Sequence, residues 1–331
     1  MKLLLNISIL SLIFLFSGCA SKITIKALQS SKIEKEKINS IKVERFRNDD
    51  INQTESLANK IANKVVDNKR VFTLKNDIFG TDAILTGEVL QSSATYNVYY
   101  RNEVDFSRCR YYRYDERTRV KQCMEYYIRY IPCEAKEYNV TTAITLIKPI
   151  NNQIIFSKTY STNTSDNVCY DRYFYDYPYM PAHLTAHSDK FRVNSQLADS
   201  ISNAILDDIS PHYIYFDIEI MEELNDNPII YTKTQKQRFE DSVAHMEKGN
   251  LDLAKYNLES LNQELQGKSF EVLYNLALIY EATNNLQIAN NLYNQARTLT
   301  FNVKDLDLIN YGISRTNLNL EEKIKAKSQL P

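Results

Sequence analysis

Hydrophobic and polar positions change period several times along the chain, and each change marks an element. Residues 3–16 form an apolar run broken by Asn6, Ser8 and Ser11, behind the positive Lys2. The run is shorter than the about 20 apolar residues of a membrane span, so it reads as a signal peptide. Ile23 and Ile25 alternate with polar neighbours, and a charged stretch at 32–37 completes a tether over 19–37. Residues 38–46 alternate at period two, the pattern of a half-buried strand. Asn52 and Glu55 make a capping box. Leu57, Ala58, Ile61, Ala62 and Val65 follow at helical spacing, so a helix is expected to about residue 67. Residues 71–74 and 83–90 read as two further strands, with Gly87 inside the second. A hairpin is expected from strands at 138–147 and 154–161 around the turn residues 148–153. Over 193–209, Leu197, Ala198, Ile201, Ala204, Ile205 and Ile209 share one helical face, and Pro211 ends the helix. Residues 213–221 alternate as a last strand. Asn225-Asp226-Asn227-Pro228 then marks a boundary, and the pattern beyond 232 is helical.

This order predicts an α+β domain over 38–224, a mixed sheet with helices, followed by an all-α region at 232–325. Two stretches inside the first domain keep neither period: an insertion at 93–137 and a loop at 162–190, both rich in tyrosine.

Composition narrows the chemistry. The chain has 331 residues, 44% hydrophobic, enough for a core of ordinary size. Only 6 glycines occur, which argues against phosphate loops and dinucleotide fingerprints. The formal charge of −1 gives no bulk attraction to nucleic acid. His183 and His187 form the spacing H-x-x-x-H, which on a helix would point both rings one way. Leu184 stands where a zinc peptidase needs Glu, and Pro181 sits just before, so the pair reads as loop histidines. A zinc hydrolase built on them is the remotest of three functional readings, and no metal or other cofactor is expected. No nucleophile elbow, Cys–His arrangement or carboxylate pair argues for an enzyme.

The stretch 101–137 carries nine basic and seven acidic side chains among many tyrosines. Charges this dense fit a lipid-facing strand badly. Two readings remain: a β-ribbon paved with Tyr–Arg contacts and stapled by disulfides, or a surface that docks protein or glycan. Tyr111, Tyr112 and Arg113 are the candidates there, because Tyr and Arg favour interfaces.

Ser17-Gly18-Cys19 resembles the bacterial lipobox, with Phe16 where Leu is usual. The resemblance implies cleavage after residue 18 and acylation of Cys19, with membrane lipid as its partner. Ala20, where Asp would favour the inner membrane, implies the outer membrane and a periplasm-facing protein. Loss of 1–18 leaves a net charge of −2 and, besides the acylated Cys19, four cysteines: Cys109, Cys123, Cys133 and Cys169. An even count outside the cytoplasm predicts two disulfides, and three pairings are open.

Ile41-Lys42-Val43 leading to Phe46-Arg47-Asn48-Asp49, then residues 80–89 (GTDAILTGEV) and the hairpin 145–157, resemble in their order the CsgG-like lipoproteins. LpoB-type activators and the TolB N-terminal domain share that layout. The insertion at 93–137 lies where CsgG carries a membrane-inserting strand pair. In the helical region Phe239, His245, Leu251, Leu253, Ala254, Leu258 and Leu261 recur 35 residues later as Tyr274, Tyr280, Leu286, Ile288, Ala289, Tyr293 and Ala296. This period resembles the tetratricopeptide repeat. It implies protein binding, with Tyr274, Asn275, Tyr280 and Tyr293 as candidates. The expectation is a non-enzymatic lipoprotein that binds or scaffolds envelope proteins, compatible with a homo-oligomer. The second reading is a CsgG-type oligomeric secretion channel.

Overall fold

The computed structural model describes residues 21–33, 37–117, 119–169, 183–226 and 229–331, the side chains of 183–188 excepted. The signal peptide and Cys19 lie outside the described residues. The fold is α+β and divides into two units. One holds residues 31–210 with the last two residues, and the other holds 21–30 with 211–329.

The first unit is built on a five-stranded mixed sheet. Its strands are β2 (Ser40–Val43), β5 (Thr73–Leu74), β6 (Ala83–Asp115), β7 (Val120–Lys148) and β8 (Gln153–Cys169), in the order β5-β2-β6-β7-β8. β2 runs parallel to β5 and β6, while β6, β7 and β8 are antiparallel. Period-two burial on β7 places Tyr138, Val140, Thr142, Ile144 and Leu146 inward. Helices α1 (Gln53–Asn63) and α2 (His183–Ile209) supply the opposing apolar faces, with Leu57, Ile61, Ala198, Ile201 and Ile205 buried. Gln53 ties three elements together. Its amide donates to Ala198 O and Ser202 Oγ at 2.9 Å, and its oxygen accepts from Thr142 Oγ1 at 3.1 Å.

The start of α1 differs from the expected capping box. Asn52 takes a left-handed conformation and its side chain caps nothing. Asp49 does the capping instead, accepting from the amides of Gln53 at 2.8 Å and Thr54 at 2.9 Å. A short pair of strands, β3 (Val65–Val66) and β4 (Lys69–Arg70), follows the helix. The expected strand at 71–74 shrinks to the two residues of β5.

The stretch 93–137 is not an insertion between elements. β6 and β7 run through it unbroken as strands of 33 and 29 residues. The loop expected at 162–190 is likewise regular where it is described: β8 continues to Cys169 and α2 begins at His183. Polar β-branched residues (Thr159, Thr162, Thr164) sustain β8 where an apolar pattern fades.

In the second unit the expected tether is a strand. β1 (Lys22–Gln29) pairs antiparallel with β9 (His212–Glu219) along its whole length. The last strand therefore belongs with the helices and not with the five-stranded sheet, and the boundary expected at 224 falls near 210. A two-stranded ribbon needs a surface to cover it. Ile23, Ile25, Ile218 and Ile220 find one in the same apolar cluster as Phe239, Tyr274, Leu278 and Tyr293.

Five helices complete this unit: α3 (Lys233–Glu247), α4 (Leu251–Glu264), α5 (Phe270–Ala282), α6 (Leu286–Arg297) and α7 (Val303–Gln329). Thr232 and Gln235 close a reciprocal capping box on α3. The 35-residue offset holds in the packing. Phe239, Ala254, Leu258 and Leu261 are buried, and so are Tyr274, Ala289, Tyr293 and Ala296. It holds in the backbone too: Gly249 after α3 and Asn284 after α5 both turn through positive φ, at 74° and 65°.

Candidate functional site

Two long strands with a short connection must project wherever a third strand stops. β8 ends at Cys169, opposite Cys133 on β7. Beyond that pair only β6 and β7 continue among the described residues, a two-stranded ribbon of about 40 Å at the usual rise per residue. Such a ribbon is marginal on its own. Two disulfides brace it and choose one of the three open pairings. Cys133–Cys169 ties the end of β8 to β7, and Cys109–Cys123 crosses the ribbon toward its tip.

Register decides what each face presents, because directly opposed residues share a face and neighbours alternate. Over the unshifted stretch Tyr100 pairs with Pro132, Asn102 with Tyr130 and Val104 with Ile128. Phe106 then meets Tyr126 edge to face at a centroid distance of 5.1 Å. None of these eight residues is charged. The alternate residues Arg101, Glu103, Asp105 and Arg129 fall on the other face. There Glu103 receives Arg101 at 2.6 Å and Arg129 at 3.0 Å. The hydrogen bond from Arg129, with help from Arg101, holds the Glu103 carboxyl below its ordinary range.

The ribbon is therefore two-faced, one side aromatic and aliphatic and the other a self-neutralised ion-pair network. Counting charges along 101–137 in bulk hid this, since the charges between Tyr100 and Phe106 alternate onto a single face. Period two over 100–106 and 126–132 was the signal that could have found it. Nearer the tip the register shifts three times around Cys109 and Tyr111. Tyr111, Tyr112 and Arg113 are exposed there, as a docking surface requires, with Arg110 paired to Glu125 at 3.0 Å.

The candidates on the helices fare differently. Tyr274, Asn275 and Tyr293 are core residues and present no surface. Tyr274 donates to Glu219 O at 3.0 Å, and Asn275 brackets Met221 by accepting from its N–H at 3.1 Å and donating to its carbonyl at 2.8 Å. Tyr293 donates to Glu281 at 2.9 Å, and Glu281 also holds Arg315 through two contacts of 2.7 Å. Burial pushes the Tyr293 hydroxyl pKa well above its ordinary value. Only Tyr280 is partly exposed, and its hydroxyl is engaged with Glu259 at 2.6 Å.

Positions 183 and 187 lie one turn apart at the start of α2, not in a loop; their side chains are outside the described residues. No group of three or more His, Cys, Asp and Glu able to hold a metal occurs among the described residues. No helix of the described residues is long and apolar enough to cross a membrane. A cavity of about 340 Å³ in the helical unit is lined by Glu219, Met221, Phe270, Glu271 and Asp305, among others. The buried Glu271 there is already engaged by Asn225 N, Tyr231 and Ser269.

No protein-family model matches the chain, and no curated protein does. Among solved structures, a minor lipoprotein from Acinetobacter baumannii is 13% identical, covering 53% of this chain and 98% of its own, with a TM-score of 0.26. The PelC dodecamer from Paraburkholderia phytofirmans is 12% identical, covering 56% of this chain and 95% of its own, with a TM-score of 0.24. Likenesses at such scores carry no argument about fold or role.

Proposed function

We propose that this chain is a non-enzymatic lipoprotein of the outer membrane, facing the periplasm, that binds or scaffolds envelope proteins through the neutral face of its ribbon. The observation that carries the reading is the uncharged aromatic and aliphatic face built by Tyr100, Val104, Phe106, Tyr126, Ile128 and Tyr130 on a disulfide-braced ribbon. Exposed apolar patches of that kind mark interaction sites. Two further resemblances support it. The parallel β2–β6 pair, the antiparallel β7–β8 hairpin and the packed α1 and α2 are compatible with a CsgG-like or TolB-N-terminal-like domain. The 35-residue offset in burial and backbone is compatible with tetratricopeptide-like helix pairs, a scaffold architecture. Anchoring rests on the lipobox resemblance at Cys19, and several acyl chains give the stable hold that one does not.

The test is membrane fractionation and in-cell crosslinking. Cys19→Ser should release the protein from membranes or leave it uncleaved. A photo-crosslinker at position 106 should yield protein adducts that one at position 101, on the charged face, does not. Equal adducts from both faces would overturn the assignment of the surface.

The second reading is an oligomeric secretion channel. The separation of charge onto one ribbon face favours it, since a lipid-facing strand must alternate in this way. The uncharged stripe, however, runs over seven residues per strand, from 100 to 106, against about 9–11 for a membrane-spanning strand. Conductance across lipid bilayers by the purified protein would decide for the channel.

A further inference from the structure

We infer that the uncharged ribbon face is covered by the same face of a second copy of this chain, two ribbons stacking as a small sandwich about a two-fold axis. The inference rests on the proposed binding role of that face and names its partner.

The stripe is arranged to match itself. The Val104–Ile128 pair lies at its middle, with Phe106 and Tyr126 on the tip side. Asn102 and Tyr130, then Tyr100 and Pro132, lie on the base side. A two-fold axis through the middle pair lays aliphatic on aliphatic, and sets the Phe106–Tyr126 rings of one copy against Tyr130 of the other. Offset and edge-on ring contacts are the favoured arrangements there. Stacked sheets sit about 10 Å apart, so side chains of this size fill the gap.

Charge points the same way. The eight stripe positions carry no ionised side chain, so a charged peptide or an anionic glycan would find no partner on it. The opposite face has already paired Glu103 with Arg101 and Arg129.

Area is sufficient. Tyr100 is 62% exposed, Val104 50%, Phe106 76%, Ile128 54% and Tyr130 56%. With roughly 200 Å² per large side chain, these five offer about 600 Å² per copy. Two copies then bury at most about 1,200 Å², a ceiling that clears the roughly 1,000 Å² of a specific interface. A ribbon crossing a bilayer would expose the same residues, but the stripe runs about 20 Å, short of the about 30 Å hydrocarbon core.

The experiment places a photo-crosslinking amino acid at position 128 of the full-length protein in cells. The expected result is an adduct of twice the chain mass that contains this protein alone. Val104→Arg should abolish that band and Val104→Ile should keep it. An intact Cys109–Cys123 bridge, read by non-reducing peptide mapping, reports that the ribbon is still formed. Adducts only with another envelope protein would overturn the second copy as occupant and leave the binding role standing. Adducts only with lipid, or none, would overturn both. A doubled band that survives Val104→Arg with the bridge intact would also overturn the inference.

Discussion

Gly87 on β6 lies against the ring of Phe46 so closely that a Cβ at 87 would stand 2.8 Å from Cε2 and Cζ. The ring is almost fully buried, and the backbone is locked by Arg47 N donating to Gly87 O at 3.0 Å. Neither partner can retreat. Gly87→Ala should therefore destabilise the sheet unit by about 1–3 kcal/mol. Adding Phe46→Leu should recover part of the loss, since contacting residues couple. Chemical denaturation of the single and double variants checks this, and strictly additive losses would contradict it.

Asp208 gathers Lys32 and Lys158, each at 2.6 Å, and Tyr160 at 2.7 Å. Burial alone would raise its pKa, but the hydrogen bonds from Lys158, Lys32 and Tyr160 outweigh it and hold the carboxyl below the ordinary range. A depressed carboxyl contributes stability above its unfolded pKa of about 4, and that contribution is lost as pH falls through the lower folded value. Asp208→Asn should cost about 2 kcal/mol at pH 7, typical of hydrogen bonds to a charged group. The gap to the wild-type chain should narrow below about pH 4. A gap constant from pH 7 to pH 2 would contradict the assignment.

The tip bridge Cys109–Cys123 closes a loop of sequence separation 14. Closing a loop of that size contributes about 3 kcal/mol through the unfolded chain, in the chain-entropy account. Cys109→Ser with Cys123→Ser should let the amides of 106–126 exchange with solvent much faster. Protection at Val140, Thr142 and Ile144 should be unchanged, because those residues sit in the three-stranded part of the sheet. Equal protection along the ribbon with and without the bridge would count against its bracing role.

Ala289 is fully buried on α6, at the position that Ala254 occupies one offset earlier. Ala289→Arg forces a long charged side chain into that site, where overpacking costs about 1–3 kcal/mol and an unpaired buried charge costs more. The helices from 233 onward should lose cooperativity in thermal melting. The sheet unit has its own apolar core and should retain protection at Leu85 and Ile144. A variant that melts like the parent would show that the helices of this unit do not pack through Ala289.

Much of the architecture was readable one residue at a time. The alternation at 138–147, the helical face through Ala198, Ile201, Ile205 and Ile209, and the 35-residue offset at Phe239, Ala254, Leu258 and Leu261 recur as burial in the folded chain, while Ala204, Leu253 and Ile288 stay exposed. Each depends on local period and on nothing distant. Reading failed where a residue's surroundings come from far away. Ile23 and Ile25 look like part of a tether until β9 pairs with them, across 193 residues in the case of Thr24 and Asp217. Tyr274, Asn275 and Tyr293 look like a binding face until the β1–β9 ribbon and α7 close over them. Asn52 looks like a cap until Asp49 accepts from the first amides of the helix, those of Gln53 and Thr54.

By itself, the sequence determined the elements whose apolar positions keep one period, such as the strand at 138–147 and the helix to Ile209, together with the 35-residue offset of the helical region and the cysteine count. These follow from side-chain period and composition, which no partner can alter. Only the tertiary structure decided which cysteines join, which strands share a sheet and which ribbon face is free of charge. The reason is register. A one-residue slip between β6 and β7 would interleave Tyr100, Val104 and Phe106 with Arg129 and Tyr127 in place of Ile128 and Tyr130. Only the pairing of the two strands sets which residues share a face.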